Sequence, residues 1–459
     1  MASSRYPIPR LDCFLCALVA LAFLLAPSPV QAGGLGRPNV FSALGVGIGG
    51  AGFAGVPNPT TLHYNPAGMT LMRETVGLVG LEVVMAPRTY DRLYLAEWEE
   101  EDPRWSPCPS GGECPKVEDT EGGIIPVPSF AFSTRLAKKG GVNPQPVALG
   151  LAFYNSFGGQ LSWDKNVVAD GITESNIILL EIVPTVAFEV TSRLSVGAGL
   201  RIGFGTFSLV NTERKGTELA PSELSGSGVK AGFNCGITYQ PLRWLRLGAV
   251  YASAMAVEMQ GEAEVELNEG SPQPTNVKLT MPWPQWAGFG AALTLDPVNV
   301  YLGGKWIDWS AFNELVIDLS EPSLTDVVER LDFSDGYSLH LGADWQIHPR
   351  FAARAGVAYD SNTIPDKSVE RQYLDGPKVT VGAGGSVVVW STLTVDLAYE
   401  ILLGIPRDVP DAQETKTDPV TGQPVLNDQG DPVRVHLNVS PGTYTTTIHT
   451  FALSVRYSY

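Results

Sequence analysis

Charged residues of both signs recur at alternate positions within otherwise apolar stretches: Arg193, Arg201, Arg354 and Arg456, with Glu181, Glu189, Asp344, Asp396 and Glu400. Charges in that setting either pair and hold water inside a lumen or converge on one anionic ligand group. Arg354 is the best candidate by type for contact with a carboxylate head, with Arg201 second. Leu62 and Met69 are candidate apolar contacts for the same ligand. The five histidines, His63, His340, His348, His436 and His449, show no spacing that assembles a nucleophile, a base and an orienting group, so catalysis is not expected; His340 reads as a satisfied polar residue facing the lumen. The acidic run Glu97, Glu99, Glu100, Glu101 and Asp102 reads as a solvated loop face, with a bridging divalent cation as the rival reading. No metal site or cofactor is expected.

The elements that position these residues start after a leader. Arg5 and Arg10, the apolar run from Phe14 to Ala26, and the small residues up to Ala32 have the order of a secretory signal, residues 1–32. Cys13 and Cys16 lie at the front of that run without a lipidation pattern. Beyond it no apolar run reaches the roughly 18 residues that a spanning helix needs. From Gly33 on, 29 basic and 47 acidic residues give a net charge of −18, which excludes nucleic acid as a partner. Cys108 and Cys114 stand close together in a loop-like stretch of a secreted chain and are expected to form a disulfide. Metal binding by the pair lacks a nearby histidine or third thiol. Cys235 reads as a small buried or lipid-facing residue.

After Glu74 the sequence alternates. Ile182, Pro184, Val186, Phe188 and Val190 share one face, opposite Glu181, Thr185 and Glu189. Leu194, Val196, Leu200 and Phe204 oppose Arg193, Ser195 and Arg201. The split recurs at Tyr337, Leu339, Leu341 and Trp345 against His340, Asp344 and Gln346, and at Leu393, Val395, Leu397 and Tyr399 against Asp396 and Glu400. The segments are long enough to cross a membrane at a tilt, and short turns alternate with long polar stretches (96–123 and 407–442). Aromatic residues gather at segment ends, Trp244, Trp345, Trp390 and Tyr459 in one set and Trp163, Trp283, Trp306 and Trp309 in the other, as two interfacial girdles would. The expected fold is all-β, a transmembrane antiparallel β-barrel of about 14 strands over residues 74–459. Residues 33–73, rich in Gly, Ala, Pro and Asn and without strand periodicity, are expected to fill the lumen as an N-terminal hatch.

Asn65, Pro66, Ala67, Gly68 and Met69, following the Gly/Ala-rich stretch Gly45 to Gly55, resemble the FadL/TodX family of outer-membrane transporters for hydrophobic compounds. Tyr154 to Trp163, Pro184 to Leu200, Trp306 to Leu315 and Arg350 to Asp360 agree. The resemblance implies a fourteen-stranded barrel closed by an N-terminal hatch in which Asn65, Pro66 and Ala67 form the hatch motif. The lead-in Leu62, His63, Tyr64 and the two long loops depart from the family pattern, and with them the identity of the substrate stays open.

The function expected is passive uptake of hydrophobic compounds, foremost long-chain fatty acids, by a monomer set in outer-membrane lipid and lipopolysaccharide. Cargo would be fatty acid or aromatic hydrocarbon, leaving when the hatch shifts or sideways through a gap in the wall. A general porin for small polar solutes is the main alternative, and a lipid-acting surface enzyme the third. Mass spectrometry of non-reduced peptides from envelope-derived protein is expected to find Cys108 joined to Cys114; two free thiols would refute the pairing.

Overall fold

A computed structural model describes residues 41–92, 117–118, 124–137, 144–163, 171–215, 218–265, 273–319, 327–369, 376–409, 413–415, 434–436 and 442–459. The signal segment and Cys108 and Cys114 lie outside them. Fourteen strands form one closed antiparallel barrel. They are β1 (Val76–Met85), β2 (Ile125–Ala137), β3 (Pro144–Ser162), β4 (Gly171–Thr191), β5 (Leu194–Lys215), β6 (Glu218–Leu242) and β7 (Leu245–Ala252, resuming Met255–Val265). The circuit continues through β8 (Gln273–Trp283, resuming Trp286–Leu295), β9 (Val298–Ile307), β10 (Gly336–His348), β11 (Phe351–Asp360), β12 (Lys378–Trp390), β13 (Leu393–Gly404) and β14 (Gly442–Ser458). Closure is by β14 on β1, from Val76↔Ser458 to Met85↔His449, which leaves no strand edge to be solvated in lipid.

The period-two pattern decides which side meets lipid. Along β4 and β5 the apolar set is exposed (Val186, Phe188, Val190, Val196, Leu200, Phe204), while Glu181, Thr185, Ser195 and Arg201 are buried. The oily face therefore looks outward and the ionic face inward, the reverse of a soluble sandwich core. Cys235 is exposed on the outer face. Trp244, Trp345, Trp390 and Tyr459 are exposed at the short-turn end of the barrel, where an interfacial girdle belongs.

Two expectations are corrected. Trp163, Trp283 and Trp309 are buried in the main apolar cluster instead of forming an outer girdle, whereas Trp306 keeps the outward parity of Leu302 opposite Tyr337, half-buried, its indole nitrogen donating to Asp335. Arg193 does not face the lumen. It sits exposed in the β4–β5 turn, where its backbone N–H donates to Thr191, because the strand ends at Thr191 and the side chain reaches water more cheaply than an interior partner.

The N-terminal segment forms short helical pieces: α1 (Ser42–Gly47), a 3-10 turn (Gly52–Ala54), α2 (Thr61–Tyr64) and a second 3-10 turn (Pro66–Leu71). Nearly all of its residues from 41 to 72 are buried, and they touch strands around the whole circuit, from β1, β3, β4, β5 and β6 through β8, β9 and β11 to β14. The segment therefore lies inside the barrel.

The lipid face yields a direct test. Leu341 pairs across Leu302 and Val357 near mid-strand and is exposed. Leu341→Arg is expected to lower folding stability in vesicles by about 2–4 kcal/mol, and Leu341→Met by less than about 1.5 kcal/mol. Urea titration of vesicle-folded protein reads both values, and equal stability would place this face away from lipid.

Candidate functional site

The lumen is layered. At the short-turn end, Arg354 donates from Nε to Asp344 (2.9 Å), from Nη1 to Asp396 (2.9 Å) and from Nη2 to Ser386 (2.9 Å). Arg456 grips the other side of Asp396 at 2.6 and 3.0 Å. Each carboxylate buried here has a guanidinium, as burial of charge requires. Gly47 of α1 lies against the stem of Arg354. The geometry makes Arg354 a floor under the N-terminal segment, with its donors committed, rather than a residue turned toward a ligand. Arg135 and Glu189 form a further ion pair at this end.

The segment itself rests in a belt of inward-facing glycines. Asn65, fully buried, donates from Nδ2 to the carbonyls of Phe53 (2.8 Å), Ile237 (3.1 Å) and Ala249 (3.3 Å), and its Oδ1 accepts from Ala67 N (3.1 Å). It thus caps the turn it opens while clamping that turn to β6 and β7. A Cβ at Gly236 would overlap the Asn65 amide, and one at Gly197 would come within 2.6 Å of Ala67 N. The Asn65–Pro66–Ala67 turn fits only because the wall has no side chain at these points. Leu62 and Met69, both fully buried, press onto Gly150 and join Ala131, Ala148, Ala152, Val183 and Ala187 in an apolar seam. The structure places them between segment and wall.

Polar fingers from the barrel satisfy the remaining backbone groups. Glu82 accepts from Ser42 N (2.8 Å), Ser454 from Ala43 N (2.9 Å), and Arg246 donates to the carbonyls of Ala54 and Gly55 (both 2.9 Å). The Gly49 carbonyl fixes His340 as the Nδ1–H tautomer (2.9 Å), leaving Nε2 to accept from Ser338 (2.8 Å). Burial among carboxylates, with Glu400 and Glu82 adding to the desolvation, pushes the Tyr64 phenol far above its ordinary range and keeps it neutral.

Above this seat the lining becomes apolar. Phe157 stacks on Trp283 (5.3 Å) and meets Trp309 edge-on (5.8 Å); Trp309 and Phe312 are 5.3 Å apart, and Phe312 stacks on Phe333 (5.9 Å). Met255, Val257, Met259, Leu279 and Met281 complete the zone. At its base Arg201 is held by both oxygens of Glu181 (2.7 and 2.6 Å) and donates to the Ser253 carbonyl (2.7 Å), where β7 breaks. Arg201 is therefore fully engaged.

Lys305, which the sequence reading passed over, behaves differently. It shares the inward parity of Tyr301 and Gly303 on β9, and its ammonium sits 4.8 Å from the centre of the Trp286 ring. Asp360 and Arg201 act on its charge from a distance, yet among the described residues it has no ion pair or hydrogen bond. The period-two alternation that exposed Arg201 would have found it.

Strand pairing in the wall is interrupted beside the apolar zone. The β2–β3 ladder stops at Phe130↔Phe153, while β2 stays paired to β1 as far as Ile125 and β3, bulged between Asn155 and Phe157, stays paired to β4 as far as Ser162. Phe157 and Leu161, just past the parting, belong to the apolar zone.

A family model described as outer membrane protein transport protein (OMPP1/FadL/TodX) matches residues 24–458. The long-chain fatty acid transport protein of Escherichia coli K12 is 22% identical over 196 residues, 40% of this chain and 44% of its own length. The alkane uptake protein A of Marinobacter nauticus is 31% identical over 125 residues, 25% of this chain and 27% of the relative. The chain thus spans less than half the length of these curated relatives. The crystal structure of a Pseudomonas aeruginosa FadL homologue superposes with a TM-score of 0.72 at 16% identity, covering 92% of this chain and 99% of that one. The toluene transporter TodX of Pseudomonas putida gives 0.64 at 13% identity, covering 92% and 99%. At such identities the likeness shows the fold.

The seat can be tested without any cargo. Asn65→Ala removes buried hydrogen bonds worth about 1–3 kcal/mol, and Gly236→Val fills the notch from the other side. Both are expected to speed amide exchange in residues 41–72 at least tenfold while heat-modifiable migration of the barrel is kept. Unchanged exchange in both variants would show that this turn does not hold the segment.

Proposed function

Because the chain belongs to the OMPP1/FadL/TodX family of outer membrane transport proteins, matched over residues 24–458, we propose that it takes up apolar carboxylic acids, long-chain fatty acids first among them. The observation that carries this reading is Lys305, a cation without a bonded partner among the described residues at the base of an apolar zone. Transferring an acyl chain into such a zone gains about 0.8 kcal/mol per methylene. Desolvating a carboxylate opposes that gain unless a cation meets it. Lys305 does so, and Trp286 stiffens its approach through the ring face. A site made for alkanes or toluene alone would have no use for an ammonium without a bonded partner.

In this reading residues 33–73 act as the hatch. Cargo enters among the external loops, parts the aromatic contacts around Phe157 and Trp283, and sets its head against Lys305. It leaves sideways where β2 and β3 separate beyond Phe130 and Phe153, while the seated segment closes the direct way to the periplasm. The passage is energy-independent. A general porin needs an open polar lumen, which the buried segment and aromatic zone disfavour; large steady conductance in planar bilayers would restore that alternative.

Lys305→Gln is expected to weaken binding of palmitate by about tenfold or more, the worth of one charge-assisted hydrogen bond, and to leave hexadecane binding within twofold. Equal loss for both ligands would mean that Lys305 supports packing, and no loss for palmitate would remove the carboxylate reading.

A further inference from the structure

Trp283 ends the outer half of β8, directly before the break at Pro284 and Gln285, and pairs with Met255 across the ladder. Its side chain is 1% exposed. The ring is stacked on Phe157 at 5.3 Å and 26°, and meets Phe312 edge-on at 6.4 Å and 71°. Its only polar atom, Nε1, is buried and has no hydrogen-bond partner among the described residues. Trp306 shows the usual arrangement, with Nε1 donating to Asp335 at 2.8 Å. An indole N–H kept from any acceptor costs about 1–3 kcal/mol, and buried polar groups in folded proteins are otherwise almost all paired. A phenylalanine at 283 would keep an aromatic ring in the stack and carry no buried donor. The phenylalanine and methionine side chains packed around it offer no acceptor stronger than a thioether sulfur.

We propose that the Trp283 indole N–H is a hydrogen-bond donor for an oxygen of the cargo, so that the apolar zone selects oxygen-bearing lipophiles over pure hydrocarbons. This rests on the uptake reading given above and adds a second polar contact that does not depend on charge. Lys305 recognises an anion; Trp283 recognises an acceptor oxygen, whether carboxylate, hydroxyl or carbonyl. The unpaired donor also makes the ligand-free zone less stable than it could be, and the oxygen-bearing ligand relieves that deficit on binding. Buried sites that hydrogen-bond a ligand group discriminate against analogues lacking it for this reason.

Three radiolabelled probes separate the two contacts in the purified full chain: palmitate with a charged acceptor, hexadecanol with a neutral acceptor, and hexadecane with none. Trp283→Phe is expected to weaken both palmitate and hexadecanol by about three- to tenfold and to leave hexadecane unchanged or tighter. Lys305→Gln weakens palmitate alone. Saturating hexadecanol should also raise the unfolding temperature of the parent by more than that of Trp283→Phe. Unchanged binding of hexadecanol and palmitate by Trp283→Phe would overturn the proposal, as would equal weakening of all three probes or an equal hexadecanol-induced rise in unfolding temperature for the two proteins. The Lys305→Gln result judges the carboxylate reading separately.

Discussion

A peptide segment inside a closed barrel has almost no water to complete its hydrogen bonds, and that constraint shapes the rest of the molecule. Every backbone group of residues 41–72 must be met by its own helical turns or by the wall. The wall answers in two ways. Glycines such as Gly197, Gly236 and Gly248 let the segment's backbone come close, and Glu82, Arg246, His340 and Ser454 reach in to the groups left over. Close approach and polar satisfaction depend on each other, since a side chain at any of these glycines would lift the segment away from the fingers that hold it.

The same inward face is divided by depth. Its short-turn end carries the Asp344–Arg354–Asp396–Arg456 network, which solves the problem of buried charge by mutual pairing and supports α1 from below. Its outer end carries aromatic and methionine side chains. Lys305 lies where the two regimes meet, and so does the Arg201–Glu181 pair, whose third bond secures the break in β7. In the uptake reading proposed above, the two halves of an amphipathic cargo match these two layers. In that same reading, the interrupted ladder between β2 and β3 is the side route for the apolar half.

Much of the fold was legible in the sequence because lipid and lumen impose opposite demands on alternate residues. That period-two rule located the strands, gave their number, and put Glu181, Arg201, Asp344, Arg354, Asp396 and His340 inside. It failed at the outer tryptophans for a definable reason. Trp283 and Trp286 both face inward although three positions separate them, because the break at Pro284 and Gln285 resets the alternation. Ala252 and Met255 do the same across Ser253 and Ala254. Trp309 escapes the rule by lying in a 3-10 turn beyond β9. Segment-end tryptophans look alike in sequence whether they face headgroups or a lumen. The partners of Arg354 and Arg201 were not legible either, since ion pairing across strands depends on register.

The central claim is that the N-terminal segment is a fixed floor and that cargo passes through the wall above it. Thr70 donates to Ser195 on β5 at 2.8 Å, side chain to side chain, and Ala43 N donates to Ser454 on β14 at 2.9 Å. The double substitutions Thr70→Cys with Ser195→Cys, and Ala43→Cys with Ser454→Cys, would tie the segment to opposite parts of the barrel. Uptake of palmitate by cells carrying both oxidised locks is the decisive measurement. The account predicts uptake equal to that of the same protein after reduction; uptake that is lost on oxidation and restored by reductant would show that the segment itself must move.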